Sequence, residues 1–178
     1  MSLFALSGYS GGGKSLISKW ENAESGLPSL PYSAPYALLG LHKHIPEIME
    51  YSRLITEPHF LPAVGPFRCG MRVQVPIHAA ILGDGANAST IREALYARYR
   101  GEQFVAVKRE IEEDCLHEQS FDPRSCNDTN GIELHVVPHS SGHVLMIALL
   151  DNLGKGACGA SIQCMNLMLG LHEEVGLP

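Results

Sequence analysis

The stretch Asp151–Leu171, DNLGKGACGASIQCMNLMLGL, limits most tightly what this chain can become. An apolar run, Val144–Leu150, stops at the polar pair Asp151-Asn152. A glycine-rich turn with one lysine, Gly154-Lys155-Gly156, follows. A helix comes next, with small residues (Ala157, Gly159, Ala160, Cys164) and large ones (Ile162, Met165, Leu167, Met168, Leu169, Leu171) on every side. A helix that is apolar all round is normally covered on all sides. A chain of 178 residues has little core to cover it with. The helix is therefore expected to pack against something this chain does not contain.

The rest of the composition describes an ordinary globule. Hydrophobic residues make up 45% and charged residues 18%, which fits one domain. A net charge of -6 argues against nucleic acid as a partner, because duplex binding wants a basic face. No apolar run approaches the roughly 20 residues that cross a bilayer, and no signal peptide is legible. Five cysteines without metal-ligand spacing fit reduced thiols, so a cytoplasmic protein is expected. Those thiols are read as buried small hydrophobes, with Cys158 and Cys164 suited to close packing.

Along the chain, Leu3–Ser7 reads as a short strand, residues 8–13 as a loop and Lys14–Glu24 as a helix. Residues 26–35 are a Pro- and Ser-rich surface loop. Tyr36–Leu41 reads as a strand that delivers His42 and His44 at its end, and Pro46 suits the first turn of the helix that follows. Met71–Ile81 alternates like a strand, with Arg72, Gln74 and His78 on one face. Ser89 is expected to cap a helix through Arg100. Phe104–Val107, Ile132–Val137 and Val144–Leu150 read as strands, and Glu110–Thr129 as loop. The short turn at His139–Gly142 favours an antiparallel pair. Strands and helices do not alternate strictly. The expected fold class is thus α+β: a mainly antiparallel or mixed sheet with helices packed on one face.

Gly8–Ser15 fits the nucleotide-triphosphate loop G-x-x-x-x-G-K-[ST] letter for letter. A strand before it, a helix after it and Asp151 at the end of another apolar run supply the usual context. Such domains need a parallel sheet covered on both faces, and the alternating strands in mid-chain do not offer one. A glycine loop cradles other anions equally well.

Five segments carry a resemblance: Ser7–Lys14 (SGYSGGGK), Leu41–Ile48 (LHKHIPEI), Pro58–Pro62 (PHFLP), Gly70–Pro76 (GMRVQVP) and Asp151–Leu171, with Cys126-Asn127 and Thr129-Asn130 between. In this order they resemble the short (type 2) branch of the N-acetyl-gamma-glutamyl-phosphate reductase family, from about Phe4 onward. Met1–Leu3 read as residues added by cloning. Residues 4–178 resemble the second domain alone, like that of the glyceraldehyde-phosphate and semialdehyde dehydrogenase group. The family's N-terminal dinucleotide-binding domain, roughly 100–150 residues, and its nucleophilic cysteine find no counterpart among the motifs.

The resemblance implies an NADPH-dependent reduction of N-acetyl-gamma-glutamyl phosphate to N-acetylglutamate gamma-semialdehyde in arginine biosynthesis. It also implies a homodimer or tetramer, and NADP held mainly by the other domain. A thiolate, oxyanion donors, a base near neutral pH and cations for phosphate and carboxylate are what that chemistry needs. By resemblance His42 is the acid/base partner, with His44 and Glu47 beside it; a histidine that merely caps the following helix is the plainer reading. Arg72 is read as gripping a carboxylate or phosphate, against a solvated strand-face arginine. Ser10 and Lys14 are read on the substrate phosphate, and Gly11, Gly12 and Asn152 on the cofactor. Lys155 reads as surface. Nine histidines invite a metal, but no ligand pattern supports one and none is expected. The chain alone is expected to be inactive. Two alternatives stand beside this: an assembly or regulatory module without catalysis, and a nucleotide-binding protein using Gly8–Ser15.

Overall fold

The computed structural model describes residues 1–40, 42–109 and 120–178. Seven strands form one mixed sheet in the order β2-β3-β1-β4-β7-β6-β5. They are β1 (Ser2–Gly8), β2 (Ala34–Pro35), β3 (His59–Gly65), β4 (Met71–Ile77), β5 (Val105–Val107), β6 (Ile132–Pro138) and β7 (Val144–Leu150). Among the described residues the α-helices are α1 (Gly13–Glu21), α2 (His44–Ser52), α3 (Ala88–Tyr99) and α4 (Gly159–Met168). β1–β3 and β5–β6 run parallel; the other neighbours are antiparallel.

The centre of the sheet is a plain consequence of sequence. β7 is an uninterrupted apolar run and is flanked on both sides along its whole length. Met71–Ile77 pairs with Leu150–Val144, and Ile132–Pro138 with the same residues from the other side. Alternate residues then serve two cores. On one face Val136, Val144, Met146 and Ile77 meet Ala88, Ile91 and Leu95 of α3. On the other, Ile147 and Leu149 are covered by Phe121 and Cys126 from the loop before β6. Nearer β1 that second face is open, and Phe4 is exposed.

Several boundaries differ from the sequence reading. β4 ends at Ile77, where a short 3-10 turn at Ala79–Ile81 begins. Asn87, not Ser89, caps α3: its side chain accepts from Thr90 N–H while Thr90 Oγ1 accepts from Asn87 N–H. Tyr36–Gly40 is not a strand. This segment's ladder with β3 is Ala34 and Pro35, followed by one bond from Tyr36 N–H to Pro62 O at 3.1 Å, and Leu41 lies outside the described residues. β3 was not expected as a strand; it gains its ladder from β1 at long range. The loop expected over Glu110–Thr129 lies outside the described residues as far as 119, and is turns beyond that.

α4 is preceded by one π-helical turn, Gly154–Cys158. Gly159 opens α4 tight against Gly154 O and Asn130 Oδ1, leaving no room for a Cβ. The C-terminal part of α4 is bare on one side: Met165, Leu167, Met168 and the following Leu169 are all exposed. Cys158 and Cys164 are exposed as well, not packed inside. Buried Asn166 ties the C-terminal tail to the helix, donating through Nδ2 to Glu173 O at 3.0 Å and Val175 O at 2.8 Å. Asn130 N–H donates to Pro178 O at 3.2 Å. Among the described residues no helix is long and apolar enough to cross a membrane.

Candidate functional site

The end of β1, the start of β4 and the end of β7 are neighbours, because β4 lies antiparallel between the other two. Their exits converge on Asn152. Its Oδ1 accepts from Gly70 N–H at 2.8 Å, and its Nδ2 donates to Ser10 Oγ at 3.0 Å. Both Asn152 and Ser10 are buried, and Cys69 Sγ lies 3.6 Å from Ser10 Oγ. Gly70 holds φ +113°, and a Cβ there would collide with Pro123 O, so only glycine fits. Asp151 serves the same junction: its carboxylate accepts from Asp128 N–H at 3.0 Å and Leu153 N–H at 2.8 Å.

This junction presents a loop to solvent. Tyr9–Gly12 form a 3-10 turn, Gly13 turns at φ +71°, and α1 begins with no capping side chain. Gly11, Gly12, Gly13 and Lys14 are all exposed. Uncapped N–H groups at a helix start favour anions. The magnesium-nucleotide arrangement is not built around it. β1 has an antiparallel neighbour in β4, and Asp151 spends both carboxylate oxygens on backbone N–H groups.

His42, His44 and Glu47 gather elsewhere. The His42 ring packs edge-on to Phe60 at 4.9 Å and to His44 at 4.8 Å. Tyr36 Oη sits 3.3 Å from His42 Nε2, and His44 N–H donates to His42 Nδ1 at 3.2 Å. The amide thus occupies the Nδ1 lone pair, which puts the neutral ring's proton on Nε2. Partial burial first, then His44 and Lys43, hold the His42 pKa below the usual histidine value, with Glu47 opposing. Burial raises Tyr36. His44 Nε2 lies 4.0 Å from Glu47.

The two groups stand at opposite ends of β1. Phe60 pairs with Leu3, whereas Ser10 follows Gly8. Five residues of strand separate those positions by about 17 Å. Reacting atoms must approach within roughly 3–3.5 Å. The structure therefore brings Ser10, Gly11 and Asn152 together, and His42, His44 and Glu47 together, but does not bring the two sets into one cleft.

Arg72 joins neither set. It is half-buried, and its Nη1 donates to Phe121 O at 3.1 Å. Beyond Leu149 on the same face lie Glu133 and then His135, whose pKa burial lowers while Glu133 opposes. Lys155 is not a surface lysine. Its Nζ donates to Gln163 Oε1 at 2.6 Å and lies 5.4 Å from the Phe104 ring centre. Asn130, Gln163 and Glu173 continue that network. Cys69 and Gly70 at the junction, and Asn130 in the Lys155 network, carry no local sequence signal that marks them as partners. Among the described residues no group of three or more His, Cys, Asp or Glu could hold a metal.

Comparison with known proteins gives this arrangement a family. Residues 1–152 match the family model for the semialdehyde dehydrogenase dimerisation domain. N-acetyl-gamma-glutamyl-phosphate reductase of Trichormus variabilis is 40% identical over 97% of this chain and 55% of its own length. The protein of that name from Rhizobium leguminosarum bv. trifolii is 42% identical over 93% of this chain and 53% of its own. The chain thus spans about half the length of the relatives it matches. Aspartate semialdehyde dehydrogenase II of Vibrio cholerae shares the fold, with a TM-score of 0.63 at 13% identity over 94% of this chain and 54% of that one. The Francisella tularensis aspartate semialdehyde dehydrogenase gives 0.62, also at 13%, over 94% and 57%. On this match the chain belongs to the semialdehyde dehydrogenase dimerisation-domain family, as the counterpart of that domain in the N-acetyl-gamma-glutamyl-phosphate reductases.

Proposed function

We propose that this domain is the substrate-binding and subunit-pairing half of an NADPH-dependent reductase. The reductase converts N-acetyl-gamma-glutamyl phosphate to the semialdehyde, in the cytoplasm. The observation that carries the reading is the match over nearly the whole chain to proteins of that name, at about half their length. The bare apolar side of α4 supports it, since exposed Leu167 and Met168 need a partner. The partner proposed is the dinucleotide-binding domain that completes such a protein.

The Gly11–Lys14 loop is assigned the leaving phosphate or the cofactor's anionic groups. Its exposed N–H groups and glycine surface fit either. NADPH, when bound, supplies the hydride. Asn152 directs its two hydrogen bonds inward, so its proposed task is to hold Ser10 and Gly70 in place beneath that surface. His42 is assigned the proton work, with His44 and Glu47 setting its charge state; being held neutral near pH 7 suits that range. With about 17 Å of strand between the two sets, a centre built on His42 leaves the loop to the cofactor's anionic groups, out of reach of the leaving phosphate. In the two-domain enzyme, His42→Asn should lower kcat at least about 100-fold. Asn152→Ala should act mainly on cofactor binding. A His42→Asn enzyme of full activity would remove that residue from the mechanism.

We further propose a homodimer through the open sheet face around Phe4. The family model is that of a dimerisation domain, and Phe4 is a large apolar side chain left exposed there. Light scattering should give twice the chain mass, and Phe4→Glu should return it to the monomer. A monomeric wild type at high concentration would refute the dimer.

A further inference from the structure

Between α3 and β5, at the edge of the sheet, lies a cavity of about 400 Å³ lined in part by Arg92, Tyr96, Arg100, Lys108 and Arg109. Its size is that of a metabolite site. Its charge is unusual for this chain. The whole protein carries -6, yet four of its thirteen basic residues, Arg92, Arg100, Lys108 and Arg109, line the cavity beside one acid, Glu93. The plainer roles for these cations are taken by others. Arg98 pairs with Glu102 at 3.2 Å at the end of α3, and Lys108 Nζ pairs with Glu133 at 2.7 Å. Among the described residues Arg100 and Arg109 enter no ion pair. Tyr96, Ala97 and Val107 add an apolar wall.

The site is separate from both sets described above. β5 is the sheet's edge strand, four positions from β1, which leads to Ser10, and five from β3 beside His42. At about 4.8 Å per strand that is roughly 19 and 24 Å. We infer that this cavity is a second ligand site, for a small organic dianion held by the Arg100 and Arg109 guanidinium groups with its carbon skeleton against Tyr96 and Val107. A dicarboxylate and a phosphate monoester share that chemistry, since guanidinium binds both in the same bidentate way. The inference stands whether or not the domain serves the proposed reductase.

Calorimetric titration of this chain with succinate and with glycerol 3-phosphate tests it at moderate salt. The expected result is saturable 1:1 binding of one of the two, which also identifies the class. Arg100→Ala/Arg109→Ala should weaken it at least about tenfold. Arg98→Ala, outside the cavity, should leave it unchanged, and unaltered unfolding curves would show that the double variant is folded. Backbone amide shifts should map to α3 and β5. Three results would each overturn the site: no saturation with either probe, equal binding by the double variant, or binding only after Glu110, Glu112, Glu113 and Asp114 are neutralised. The last would mean that the chain's own acids are the occupant.

Discussion

At the scale of single residues, Asn152 does the most. It joins three strand ends by two buried hydrogen bonds, one to a residue 142 positions away. Replacing it with alanine leaves Gly70 N–H buried without a partner and Ser10 Oγ with Cys69 Sγ alone, at a cost of about 2–3 kcal/mol. Urea unfolding should show that loss; a midpoint within error of wild type would deny the junction its structural role. His135 sets an acid limit. Burial favours its neutral form, so the unfolded chain binds the proton more readily. Stability is then full above the ordinary histidine value of 6.5 and falls as pH drops from there toward the lowered folded value. His135→Leu should flatten the urea midpoint between about pH 7 and 5. Among the thiols, burial raises Cys126, so alkylation should reach exposed Cys158 and Cys164 well before it. The polarity of Asp151-Asn152 at a strand end was legible in sequence. Their partners were not, because Ser10, Gly70 and Asp128 become neighbours only once the sheet is formed.

Among the elements, α4 is the one whose surface outruns this chain. Leu167→Glu/Met168→Glu alters exposed positions, so stability should change by no more than about 0.5 kcal/mol. The same pair should abolish association with a dinucleotide-binding domain supplied in trans. Loss of folding, measured by circular dichroism, would instead place those residues in the domain's own core. By contrast Ile147→Ala, inside the second core, should cost about 2–5 kcal/mol. β7 was read to the residue, since its apolar run has no competing pattern. Tyr36–Gly40 is no strand although its apolar residues imitate one, since the ladder on β3 is formed by Ala34 and Pro35. The parallel β1–β3 and β5–β6 pairs were invisible for a related reason: no local pattern states which distant strand a β-residue will meet.

For the whole molecule, the expectation is dependence on a companion. This chain, mixed with NADP, phosphate and the semialdehyde, should give no NADPH absorbance; steady turnover would refute the division of labour. The α+β class and the family were legible because ordered motifs survive in one dimension. The distance between His42 and Ser10 was not, since strand direction and register decide it and neither is written locally. The C-terminal tail carries a practical consequence. Glu173, Val175 and Pro178 offer the carbonyls that satisfy Asn166 and Asn130. Trimming those residues would leave the Asn166 amide and the Asn130 N–H without their acceptors, so fluorophores or affinity handles belong at the exposed Ser140–Gly142 turn.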